Sequence, residues 1–142
     1  MSNNLYCASV PVFKQLLLAL SDVLSKAEAH AVAKKVDPAV LLQTRLAPDM
    51  FPLVRQVQIA CDFAKSVSAR LAGVEVPAYD DNEQNFAELR TRIAKTVALL
   101  DGYTEAQFDG CEGLEIVLRP GTPKEKKLNG RAYLLAYGLP QF

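Results

Sequence analysis

Apolar residues recur at helical spacing over three long stretches of this chain and alternate at period two only once, near the end. Between Val10 and His30, the residues Phe13, Leu16, Leu17, Leu20, Val23, Leu24 and Ala27 form a stripe at i, i+3, i+4, i+7 spacing, with Asp22, Ser25, Lys26 and Glu28 largely off it. This predicts a first helix, capped by Ser9 and with Pro11 in its first turn. Asp37-Pro38 opens a short helical segment through about Gln43. A second long helix is expected after the capping residue Asp49, with Pro52 in its first turn and a core face of Val54, Val57, Cys61, Ala64 and Leu71. Gly73 ends it in a left-handed cap, and Val74 to Tyr79, containing Pro77, is a linker. A third helix starts near Asp81, with Glu83 and Gln84 favourable in its first turn. Phe86, Leu89, Ile93, Val97 and Leu100 are its buried stripe, and Gly102 stops it.

The pattern changes after Gly110. Thr104-Glu105-Ala106-Gln107 resembles a capping box in a short turn. Leu114, Ile116 and Leu118 then alternate with Glu115, Val117 and Arg119, which predicts a strand. Pro120-Gly121-Thr122-Pro123 is a turn, and Lys126 to Leu128 pairs back as a hairpin that must pack on the helices to be stable. From about Arg131 a last apolar helix begins, which Pro140 kinks or ends. It is short by periodicity, so it leaves apolar surface open along the bundle. Either truncation of the chain end or a second subunit accounts for that gap.

The 142 residues are half hydrophobic, enough for one sizeable core. Lys+Arg and Asp+Glu balance at 16 each, which leaves no electrostatic footprint for nucleic acid. Met1-Ser2-Asn3-Asn4 lacks the positive charge of a signal peptide. The apolar run Val10 to Leu20 is interrupted by Lys14 and Gln15 and falls short of a membrane span. Three widely spaced cysteines, Cys7, Cys61 and Cys111, read as free thiols of a reducing compartment.

Little in the sequence carries chemistry. His30 is the one histidine, near the end of helix one, and the cysteines have no paired spacing, so no zinc-type ligand set converges. Cys61 reads first as a small buried hydrophobe. Phosphate loops and nucleophile motifs are absent, and Lys124-Glu125-Lys126-Lys127 is most simply a solvated hairpin tip. Arg55, Gln58 and Asp62 share one face of helix two. They are either the polar wall of a small-ligand pocket, with Arg45 and Asp49 at its mouth, or a polar network that sets helix register.

The run Arg45-Leu46-Ala47-Pro48-Asp49-Met50-Phe51-Pro52-Leu53, followed by Arg55-Gln56-Val57-Gln58 and Ala69-Arg70-Leu71-Ala72-Gly73, resembles an uncharacterised bacterial domain family of the DinB/YfiT-like four-helix-bundle superfamily. Phe86-Ala87-Glu88-Leu89 with Arg92-Ile93-Ala94-Lys95-Thr96, and Tyr133-Leu134-Leu135 with Leu139-Pro140, fit the same pattern. The resemblance implies an up-down bundle, often a homodimer, within a superfamily of metal enzymes that includes thiol-dependent transferases. Their site has three histidines, one on helix two and two on the last helix. Here the helix-two region carries Gln56 and Gln58, and the last helix carries Ala136 and no histidine before Phe142. Relatives continue past the Leu139-Pro140 segment, and this chain departs from them by stopping there.

The sequence therefore reads as all-α: one DinB-like up-down four-helix bundle over residues 1–142, with a small β-hairpin before the last, shortened helix. The expected function is that of a cytoplasmic non-metal ligand-binding or interaction protein. Its partners would be a second copy of itself and a small-molecule ligand, with no nucleic acid and no membrane. No metal or cofactor is expected and catalytic residues are unassigned; the binding candidates are Arg45, Asp49, Arg55, Gln58 and Asp62. The alternative is a divergent thiol-dependent transferase or hydrolase of the same class.

Overall fold

A computed structural model describes residues 4–142. Met1 to Asn3, part of the stretch read for its lack of positive charge, lies outside the described residues. Helix α1 runs Asn4–Ala33, α2 Pro38–Leu42, α3 Leu53–Ala72 and α4 Phe86–Asp101. Short 3-10 turns at Glu105–Phe108 and Cys111–Gly113 lead into strands β1 (Glu115–Leu118) and β2 (Lys126–Asn129). The C-terminal helical segment has three parts: α5 (Gly130–Ala132), a π-helical stretch Tyr133–Gly138 and α6 (Leu139–Gln141). Helix α4 packs on both α1 and α3, α1 also packs on α3, and the π-helical stretch closes against α3.

The expected helices are present, with shifted ends. Helix α1 starts at Asn4, not Val10, because Leu5 and Ser9 extend the buried stripe a further two turns upstream. Ser9 is not a cap; its buried hydroxyl donates to the carbonyls of Leu5 and Tyr6 inside the helix. Pro11 sits in the interior, where burial of Leu5, Val10 and Phe13 offsets the missing backbone bond. The resulting Leu5–Ala33 stretch is long and apolar enough to cross a membrane by length and composition, more than the interrupted run suggested. One face of it, Phe13, Leu17 and Leu24, is core.

Asp37 caps α2 by accepting from the Ala39 N–H at 3.0 Å. Asp49 does not cap α3. It sits in a turn, and Pro52 takes the cap position with its carbonyl accepting from the N–H groups of Arg55 and Gln56. Asp81, Glu83 and Gln84 precede α4 rather than forming its first turn. Asn85 is the cap, accepting from the Glu88 N–H at 2.8 Å. Gly73 closes α3 with φ 72°, as the left-handed cap requires. Thr104 and Gln107 do form a reciprocal capping box.

The strands pair antiparallel, with Ile116 opposite Leu128 and Leu118 opposite Lys126. Ile116 and Leu118 face the core, and the hairpin gains its stability there. Gly130, at the joint between β2 and the C-terminal segment, lies so close to the Cys111 carbonyl that a Cβ would stand 1.7 Å from its oxygen. Only glycine fits. Tyr133, Phe13, Phe86 and Phe108 are the largest side chains sealed in the core.

Candidate functional site

Helix α4 carries a charge on its buried face. Arg92 lies between Leu89, Ile93 and Thr96, all buried, and its side chain is 2% exposed. A guanidinium in that position must be neutralised, because desolvating a charge without partners is prohibitive. Three carboxylates and a carbonyl do so: Asp62 of α3 at 2.8 Å, Asp81 at 2.7 Å, Glu83 at 3.0 Å and the Asp80 carbonyl oxygen at 3.0 Å. Burial alone would lower its pKa, but the hydrogen bonds to Glu83 and Asp81 and the charge of Asp62 outweigh it and raise the pKa. Arg92 is therefore a permanent cation.

The residues around it complete a network. Arg55 reaches Asp81 at 2.8 Å and Gln58 at 3.4 Å, and Gln58 donates to Glu83 at 3.0 Å. Lys65, also buried, pairs with Asp62 at 3.2 Å. The Tyr79 ring lies 4.3 Å from the Lys65 ammonium and 4.0 Å from that of Lys95. The segment between α3 and α4 is thus strapped onto both helices by charge. An open cavity of about 500 Å³ beside it is lined in part by Tyr79, Asp80, Glu83, Arg92 and Lys95.

A second cavity, of about 440 Å³, has a different character. It lies between α1, α2 and the start of α3, and its walls are Ala27, Leu41, Leu46, Met50, Phe51 and Leu53, with Thr44 and Gln56 at the edges. The loop that forms it is pinned at three points. The Leu53 N–H donates to the Thr44 carbonyl at 3.0 Å, Arg45 to the Met50 carbonyl at 2.8 Å, and Gln56 to the Phe51 carbonyl at 3.2 Å. Leu46 is 91% exposed at its rim.

The five candidates from the sequence separate into two groups. Arg55, Gln58 and Asp62 meet in the Arg92 network, and Gln58 is buried there. Arg45 and Asp49 belong to the other loop. Arg45 holds the wall of the apolar cavity, while Asp49 is exposed on the same loop. The residue missed was Arg92, the hub. Its signal was available, since an arginine three residues after Leu89 and one before Ile93 falls inside an apolar stripe. Lys65, next to Ala64 and four residues after Cys61, carries the same signal.

The model of a domain of unknown function, DUF1993, matches residues 5–142. The chain belongs to that family. A crystal structure of a DinB family member protein from Shewanella denitrificans matches it with a TM-score of 0.90 at 43% identity, covering 96% of this chain and 77% of that one. No curated protein matches. The fold of this DUF1993 chain is the DinB-like bundle.

Its donor set does not fit the histidine-ligated metal of the wider superfamily. The Gln56 and Gln58 amides are engaged with Phe51 and Glu83, the acidic groups are turned onto Arg92, and among the described residues no group of three or more His, Cys, Asp or Glu could hold a metal ion. Cys61 is no better as a nucleophile. Burial pushes its thiol up to about 11 against the opposing contact with Thr96, and burial likewise pushes Cys111 up to about 11.

Two outcomes are expected for this DUF1993 chain. Arg92→Met leaves Asp62, Asp81 and Glu83 facing one another; allowing for their partial exposure, it should cost about 2 kcal/mol and roughly 6 °C in Tm by thermal unfolding. An unchanged Tm would show that the strap contributes nothing. For the thiols, labelling with a thiol-reactive disulfide at about pH 8 should modify exposed Cys7 quickly, and Cys61 and Cys111 only after unfolding. Unfolded thiols ionise near the ordinary 9.0 and the native ones near 11, so the unfolded state loses its protons first as pH rises. The stability they contribute is complete below pH 9 and lost as pH climbs through 11. Rapid native labelling of Cys61 would contradict this.

Proposed function

We propose that this chain is a non-metal binding protein that holds a small apolar molecule in the cavity between α1, α2 and the start of α3. The observation that carries the reading is the contrast between the two cavities. The Arg92 network pairs its charges internally through both terminal guanidinium nitrogens, leaving only the buried Nε without a partner, which is the behaviour of a structural strap. The apolar cavity instead leaves Leu46, Met50 and Phe51 exposed on a loop held open by hydrogen bonds. Water against those side chains is a standing cost of about 25 cal/mol per Å² that an apolar ligand would remove. Its volume of about 440 Å³ lies in the range of small-molecule sites. Arg55, stacked 5.8 Å from the Phe51 ring, connects this wall to the strap. The rival reading, a thiol-dependent transferase, gains no support from a neutral buried Cys61.

The neutral fluorophore N-phenyl-1-naphthylamine is a direct probe. It should bind the native protein, and Leu46→Asp should weaken binding about tenfold, roughly 1.4 kcal/mol, without lowering Tm. Equal affinity in the variant would refute the site.

The proposed partner is a second copy and the proposed setting is the cytoplasm. Leu16 and Val23, seven residues apart on α1 and both about half exposed, give one helix face an apolar surface, and the three cysteines are free thiols. Sedimentation at micromolar concentration should return twice the 15.5 kDa chain mass. A monomer at every concentration would exclude the pairing.

A further inference from the structure

We infer that the cleft between the β-hairpin and the C-terminal helical segment binds a small organic phosphate. The cleft is a cavity of about 400 Å³, separate from both cavities above, and within the size range of ligand sites. Its cations come from the hairpin: Arg119, Lys124 and Lys126. Its other wall includes Tyr137 and Gln141, and buried Leu118 contributes an apolar floor.

The strand register explains why two of the hairpin's charges are set differently. Lys126 stands opposite Leu118 and shares the face that looks into the cleft, whereas Lys127 stands opposite Val117 on the other face. The hairpin tip is therefore not simply a solvated charge run: alternation along β2 assigns one lysine to the cavity and its neighbour away from it.

Neutralisation is incomplete. Glu125 lines the cleft with these cations, its carboxylate accepting from the Gly121 N–H at 3.0 Å, so three cations face one anion. Among the described residues, no carboxylate lies within salt-bridge distance of Arg119, Lys124 or Lys126, in a chain whose total charge is zero. Arg70 of α3, which lines a smaller pocket with Tyr137 and Asp62, donates to the Tyr133 hydroxyl at 2.8 Å.

Backbone conformation adds an independent observation. Arg119 has φ 50°, in the left-handed region that disfavours any residue with a Cβ. The turn holds it there, with the Thr122 N–H and hydroxyl both donating to the Arg119 carbonyl, at 3.2 and 2.7 Å. Glycine would suit this position better for stability alone. An arginine kept in a costly conformation at the lip of a cavity with three cations and one carboxylate is the arrangement expected of a ligand clamp. A guanidinium with two ammonium groups matches the several oxygens of a phosphate, and the Tyr137 and Leu118 surfaces match an organic body attached to it.

The probe is phenyl phosphate, titrated by calorimetry at low salt against the full chain, with phenol and sulfate as controls. Phenyl phosphate should bind more tightly than either control. Arg119→Gly should weaken it about tenfold or more while leaving Tm equal or higher, because glycine takes the left-handed conformation freely. Lys126→Gln should also weaken it, and Lys127→Gln, on the opposite face, should change affinity less than about twofold. The inference fails if phenyl phosphate gives no heat or binds no better than sulfate. It also fails if Arg119→Gly binds as the parent does, or if Lys127→Gln loses as much as Lys126→Gln, which would mean diffuse surface charge.

Discussion

A guanidinium on the core face of a helix can exist only if carboxylates come to it, and the Arg92 position imposes that condition on the rest of this bundle. Asp62 comes from α3, and Asp81 and Glu83 come from the irregular segment before α4. Satisfying Arg92 therefore fixes the spacing of α3 and α4 and pulls the connecting segment down across both. It also explains why α4 begins at Phe86. Asp81 and Glu83 are turned onto Arg92 instead of entering the helix, and Asn85 supplies a strong cap at the point where the strap ends.

Such a network gains little net stability over a well-packed apolar core of the same shape, since desolvation consumes most of the Coulombic gain. What it supplies is specificity of arrangement. The α3–α4 connection has one place to lie, and Tyr79 is held between two ammonium groups as a result. Residues that looked like a ligand's polar wall, Arg55, Gln58 and Asp62, spend their bonding capacity on this purpose. The surfaces whose physical requirements are unmet lie elsewhere. One is the apolar cavity under the Arg45 to Phe51 loop; the other is the cationic cleft beneath the hairpin. Unmet requirements, of apolar area in one and charge in the other, are the physical basis for assigning ligands to them.

The bundle class, the order of elements and most of the core were legible in residue spacing. Val54, Val57, Cys61, Ala64 and Leu71, and Phe86, Leu89, Ile93 and Leu100, are buried as their periodicity requires, while Val97 is only partly buried and Leu16 and Val23 of the first stripe are exposed. Ile116 and Leu118 of the hairpin are buried as well and Gly73 caps α3, whereas Leu114, read as part of the same alternation, lies before β1 and is exposed. Element ends were less legible. Pro11 and Ser9 have strong local preferences for a helix start, yet α1 runs through both because upstream apolar burial outweighs one lost backbone bond. The π-helical turn in the C-terminal segment has no signature in spacing, since it shifts the register of Tyr133 to Gly138 to fit the surface of α3.

Sequence by itself determined which faces are apolar, because periods of 3.6 and 2 are set by backbone geometry and need no knowledge of neighbours. It also determined that this sequence offers a single histidine, His30, which folding cannot turn into a set of three. Only the tertiary structure decided which charges meet. Arg92 and Asp62 lie thirty residues apart, and their encounter depends on helix crossing and on the path of a connection with no regular structure. The same holds for Arg119 and Tyr137, brought to one cleft by the fold of a hairpin onto the helix that follows it. Periodicity acts along the chain, whereas a site forms across it.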